Sequence, residues 1–102
     1  MEKRYQLIHN AAQNRYEFHL DGGVAYIEYE ASREPGVWLL THTIVPPQFE
    51  RQGIAGELAE STLEAFRERG ERIIPECLYL VRYLQRHPEW RSLLPEGHRI
   101  EE

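Results

Sequence analysis

Four side chains and one loop carry most of the chemistry available to this chain. Cys77 is its single cysteine. A thiolate there can act as a nucleophile that takes up an acyl group, although a lone cysteine usually fills a small buried apolar space. Its neighbours Pro75, Glu76 and Leu78 bring no cation that would stabilise a thiolate, leaving only the start of a following helix to do so. Tyr79 and Tyr83 stand four residues apart and share one helix face. There they either serve a proton transfer or pack against a sheet. His42 stands between Thr41 and Thr43; imidazole is the side chain suited to proton transfer at physiological pH, so it reads as a base or as a hydrogen-bonded interior histidine. The loop Phe49-Glu50-Arg51-Gln52-Gly53-Ile54-Ala55 precedes a long helical pattern. Unpaired N–H groups and the positive dipole end at a helix start attract phosphate oxygens. Small residues at Gly53 and Ala55 leave the main chain open to such a ligand, and they equally suit a plain helix start.

Other chemistries are poorly served. His9, His19, His42, His87 and His98 show no i, i+3 or i, i+4 pairing, and no second cysteine joins Cys77, so a zinc or iron site is not expected. His87 in Arg86-His87-Pro88 reads as a helix C-terminal residue favoured by the dipole. A net charge of −5 gives no basic face for nucleic acid. No apolar run approaches the ~20 residues that span a bilayer, and the first residues do not resemble a signal peptide. One cysteine without a partner suits a reducing cytoplasm. The length predicts one domain over residues 1–102.

The elements that position these residues follow from local signals. Arg15 to Leu20 alternates with period two, placing Tyr16, Phe18 and Leu20 on one face. Asp21-Gly22-Gly23 is a tight turn, and Val24 to Glu30 returns as a strand. Pro35-Gly36 marks a second turn. Val37 to Val45 is a more continuously apolar strand, expected inside the sheet, with Leu40, His42 and Ile44 on one face. Arg4 to Asn10 reads as an edge strand. Pro46-Pro47 stops the central strand. Ile54, Ala55, Leu58, Ala59, Thr62, Leu63 and Phe66 then draw one apolar helical stripe, closed by Gly70. Arg72-Ile73-Ile74 is a short buried strand that ends at Pro75, and Leu78 to His87 is a second helix stopped by Pro88. After Trp90 the signal fades, and Glu101-Glu102 reads as frayed. Tyr16, Phe18, Tyr26, Trp38 and Phe66 read as core. The strand–helix–strand order is a βαβ crossover, so the Val37 and Ile73 strands should be parallel or splayed neighbours. The whole is an α+β domain: a mixed, mostly antiparallel sheet with two main helices.

Three segments, in this order and spacing, resemble the GNAT N-acetyltransferase superfamily, and more closely its minimal YjdJ-type branch. They are Thr41-His42-Thr43-Ile44-Val45-Pro46-Pro47, then Arg51-Gln52-Gly53-Ile54-Ala55-Gly56-Glu57-Leu58, then Ile74-Pro75-Glu76-Cys77-Leu78-Tyr79 leading to Arg86-His87-Pro88-Glu89-Trp90. The resemblance runs from about Arg15 to Leu94. The superfamily's glycine-loop signature falls on Glu50 to Ala55: Gly53 and Ala55 match it, whereas Glu50 stands where a glutamine or arginine is usual, with Arg51 beside it. The resemblance implies an acetyl-CoA cosubstrate and an amine acceptor. Pantetheine would pair with backbone at Ile44 and Val45, the diphosphate would lie on Arg51, Gln52, Gly53, Ile54 and Ala55, and the thioester would point toward Cys77. Tyr79 or Tyr83 would protonate the departing thiolate, and His42 would take the acceptor's proton. Only about a dozen residues precede the Arg15 strand, so the acceptor side is expected to be open to a protein lysine, an N-terminus or a polyamine. A CoA-binding or protein-interaction module of the same fold with little or no turnover is the alternative.

Overall fold

The computed structural model describes residues 4–100, and the expected fraying of Glu101-Glu102 lies outside them. Strand β1 (Ile8–Asn10) pairs antiparallel with β2 (Arg15–Leu20), β2 with β3 (Gly23–Ala31), and β3 with β4 (Val37–Ile44). Helix α1 (Ile54–Glu68) crosses over to β5 (Arg72–Pro75), which lies parallel to β4; α2 (Leu78–Arg86) follows. The sheet order is β1-β2-β3-β4-β5, so the mixed, mostly antiparallel α+β architecture and the parallel crossover hold as expected.

Local chemistry accounts for the joints. Gly22 (φ +96°) turns β2 into β3. Pro35 and Gly36 are the central residues of a turn in which Val37 N–H donates to the Glu34 carbonyl at 3.2 Å, with Gly36 at φ +80°. That is the positive φ a type II turn demands of its third residue. The edge strand is shorter than the expected Arg4 to Asn10, and only Ile8–Asn10 pairs with β2.

The core forms where α1 lies against the sheet. Ile54, Leu58, Ala59, Thr62, Leu63 and Phe66 are buried along α1 and meet Phe18, Ile27, Leu40 and Ile73. Burying each large aliphatic side chain contributes about 1.5–3 kcal/mol. The Phe66 ring stands edge-on to Tyr16 and Tyr29, at centroid distances of 5.3 and 5.9 Å. On α2, Leu80, Tyr83 and Leu84 turn inward. Beyond it a 3-10 helix, Pro88–Leu93, and Leu94 just after it add Trp90, Leu93 and Leu94 to the core, structure that the fading pattern after Trp90 did not announce.

Of the expected core aromatics, Tyr26 lies elsewhere and Trp38 sits at the core's edge. Ala25, Ile27 and Tyr29 are the buried positions of β3, so alternation turns Tyr26 to the opposite face, where the Arg15 guanidinium stacks 3.9 Å above its ring. Trp38 is only half-buried and packs edge-on against Tyr29 at 5.3 Å.

A bulge in β4 governs the placement of the reactive groups. Glu28 pairs with His42 and Tyr29 with Leu40, so Thr41 has no partner in the register. The Thr41 hydroxyl donates to the Glu28 carbonyl at 3.2 Å and pins the extra residue. An unpaired residue breaks period-two alternation. Leu40 and Thr43 therefore face α1 together, and His42 points to the other side. The expected Leu40-His42-Ile44 face does not exist.

Candidate active site

Strand β5 accompanies β4 only from Val37 to Leu40, and the last main-chain tie is Glu76 N–H to the Leu40 carbonyl at 2.9 Å. Pro75 has no N–H to continue the ladder, and the chain turns into α2. From His42 to Ile44, β4 runs on with β3 as its ladder partner. The opening so created continues into a recess of about 600 Å³ lined by the end of β4 (Thr43, Ile44 and Val45), the loop residues Phe49, Glu50, Arg51 and Gly53, the first turn of α1 (Ile54, Ala55 and Gly56) and Tyr79 of α2.

The loop presents main chain to this recess. After a 3-10 turn, Pro47–Phe49, Arg51 adopts φ +65° and Gly53 φ +79°. Left-handed backbone at a non-glycine residue costs about 1–2 kcal/mol. Alternation of right- and left-handed residues curves a chain so that its N–H groups converge on a concavity suited to anions. Gly53 caps α1 without any side chain, and the first helical bond runs from Glu57 N–H to the Gly53 carbonyl at 3.1 Å. The N–H groups of Ile54, Ala55 and Gly56 precede that bond, and all three residues line the recess. Glu50 and Arg51 place one carboxylate and one guanidinium at its rim.

An N-terminal residue braces the loop. The Arg4 guanidinium donates to the Gln52 carbonyl at 3.0 Å and to Glu57 Oε1 at 2.9 Å, while Arg4 N–H donates to Glu57 Oε2 at 3.0 Å. Gln52 donates its side-chain amide to the Gln48 carbonyl at 3.3 Å. Unlike its neighbours, Gln52 holds the loop and does not line the recess.

Of the reactive side chains, Tyr79 lines the recess and Cys77 touches its wall at Thr43, whereas Tyr83 and His42 lie off it. Cys77, the residue before α2, has Sγ 3.2 Å from the Thr43 hydroxyl. Tyr79 lines the recess and extends its hydroxyl over α1, 3.7 Å from the point a Cβ at Gly56 would occupy. Burial pushes its pKa up. Tyr83, one turn further, is nearly buried; burial first, then the nearby Glu60 carboxylate, push its pKa up to about 12. Both hydroxyls therefore keep their protons at neutral pH, as a proton donor must. His42 is exposed on the other face of the sheet, with Nδ1 3.1 Å from Glu28 Oε1.

Sequence reasoning named Phe49 within the loop but passed over Thr43, Gly56, Arg4 and Glu28 as site residues. Only Gly56 carried a local signal, as a third small residue after Gly53 and Ala55. The others reach the site through contacts distant in sequence. Among the described residues no group of three or more His, Cys, Asp or Glu side chains could hold a metal ion, and no helix is long and apolar enough to cross a membrane.

The fold has a solved counterpart. A GCN5-like protein from Staphylococcus aureus, determined in solution by NMR, superposes with a TM-score of 0.68 over 99% of this chain and 100% of its own, at 20% sequence identity. That likeness establishes the architecture. No curated protein is significantly similar in sequence. A family profile described as GCN5-related N-acetyl-transferase matches residues 15–93, which include β2 through α2 and every wall of the recess. The chain belongs to the GCN5-related N-acetyltransferase family.

Proposed function

We propose that this chain moves the acetyl group of acetyl-CoA to a primary amine, within the minimal YjdJ-type branch of the family and in the cytoplasm. The observation that carries the reading is the recess in which the end of β4 meets the uncapped start of α1. Its walls bring strand-end backbone and helix-start N–H groups together, the two features that a pantetheine arm and a diphosphate call for. The N–H groups at Gly53 to Gly56 hold the diphosphate, with Arg51 beside them and Glu50 opposing them. Backbone of Ile44 and Val45 pairs with the pantetheine arm along the stretch of β4 that β5 has left. The thioester then lies toward Thr43 and Cys77.

Transfer is direct. The amine nitrogen bonds to the acetyl carbon, the C–S bond breaks, and the thiolate receives the proton of Tyr79, the tyrosine that lines the recess. The amine loses its proton through water to His42, which Glu28 orients from the sheet's other face. Cys77 borders the thioester without carrying the acetyl group, because its near partner is the neutral Thr43 hydroxyl and not a cation or imidazole.

The test is mass spectrometry of polyamines, lysine peptides and N-terminal peptides incubated with the protein and acetyl-CoA. Acetylation of any of these above the enzyme-free rate supports transfer. Saturable acetyl-CoA binding with no acetylated product would assign the chain to the binding modules instead.

A further inference from the structure

A second recess, of about 260 Å³, adjoins the first and is lined by Gly56, Tyr79, Arg82, Tyr83, Arg86 and His87. Gly56 and Tyr79 border both recesses. Gly56 lies beside the Tyr79 hydroxyl, which is 3.7 Å from where a Cβ would stand, so the two recesses meet at a residue with no side chain. Arg82 and Arg86 lie one helical turn apart and are exposed. Neither side chain is ion-paired or hydrogen-bonded to another described residue, whereas Arg4, Arg69, Arg72 and Arg91 all have such partners. In a chain with a net charge of −5, two unpartnered guanidinium groups on one recess form a local positive field. The opposing charges nearby are Glu60 and Glu64 of α1 and Glu89, all felt by the Tyr83 hydroxyl, and none of them lines this recess.

Guanidinium forks match the oxygens of a phosphate monoester and hydrogen-bond them strongly. We propose that Arg82 and Arg86 bind the 3′-phosphate on the ribose of coenzyme A and so select the complete cofactor over its 3′-dephosphorylated form. This rests on the reading that the larger recess takes acetyl-CoA. With the diphosphate on the first turn of α1, Gly56 marks the point where the nucleotide end passes from one recess into the other.

The experiment compares calorimetric affinities for CoA and dephospho-CoA in the native protein and in the Arg82→Gln/Arg86→Gln variant. The native protein should prefer CoA by about tenfold or more, the factor expected of a charge-assisted hydrogen bond. That ratio should fall with added salt. In the variant, CoA affinity should drop to that for dephospho-CoA, with dephospho-CoA affinity unchanged and the circular dichroism spectrum native. Equal affinity for the two ligands in the native protein would overturn the arginine site while leaving the cofactor reading intact. An undiminished preference in the folded variant would do the same. Failure of the native protein to bind either ligand would overturn both.

Discussion

The Thr43 hydroxyl lies 3.2 Å from Cys77 Sγ, linking β4 to the start of α2 across the place where β5 has ended. This contact marks the inner end of the opening between the two parallel strands. It exists because the bulge at Thr41 turns Thr43, and not His42, toward α1. Cys77 is therefore expected to border the thioester as a spectator. Cys77→Ala should retain measurable acetyl transfer, and CoA should protect Cys77 from alkylation. Loss of all transfer with CoA binding intact, or an acetylated Cys77 trapped in turnover, would make the thiol an acyl carrier.

Acetyl-CoA should raise the melting temperature. A ligand at about 100 times its Kd stabilises the native state by roughly 2.7 kcal/mol, which for a domain of this size is about ten degrees or more. Calorimetry at millimolar acetyl-CoA measures it, and an unchanged transition would remove the cofactor reading.

Gly53 allows charge and strain to be separated. Its φ of +79° disfavours any side chain, although the nearest atom to an added Cβ, Arg4 Nη2, is 3.6 Å away. Gly53→Ala should lose about 1 kcal/mol of stability and keep most of its acetyl-CoA affinity. Gly53→Glu should lose the same stability together with ligand binding, because its carboxylate enters the space of the diphosphate. Glu50→Gln should bind more tightly than the native protein, since it removes a carboxylate from the rim of the recess. Equal affinities across these three variants would place the diphosphate elsewhere.

Tyr83 should leave a mark on alkaline stability. Its folded pKa is about 12 against an ordinary value of 10.0, with burial as the main cause. The native state therefore holds this proton after the unfolded chain has released it. Stability is unaffected below pH ~10 and falls between pH ~10 and ~12. Tyr83→Phe should remove that part of the alkaline loss, read from denaturant midpoints across the pH series. Because Tyr83 lies off the larger recess, Tyr83→Phe should leave kcat near native. Tyr79→Phe, by contrast, should lower kcat with KM for acetyl-CoA little changed.

Much of this protein was legible in sequence because the relevant physics is short-range. Asp21-Gly22-Gly23 and Pro35-Gly36 encode their turns through backbone sterics alone. The stripe from Ile54 to Phe66 encodes α1 through its 3.6-residue period, and Gly53 with Ala55 marks a helix start open to a ligand. These features need no knowledge of what lies across the fold. The bulge at Thr41 is different in kind: it depends on which residues of β3 come opposite β4, and it alone decides that Thr43 meets Cys77 while His42 meets Glu28. Glu17, between the inward Tyr16 and Phe18, should face water by alternation. It is 5% exposed because His19, Asn10 and Arg15 close around it. Arg4 reaches Gln52 across 48 positions, and Arg82 and Arg86 share a recess with Gly56 only because α2 packs beside α1. Such contacts are the product of packing, in which many weak and distant preferences are satisfied together, and no window of neighbouring residues contains them.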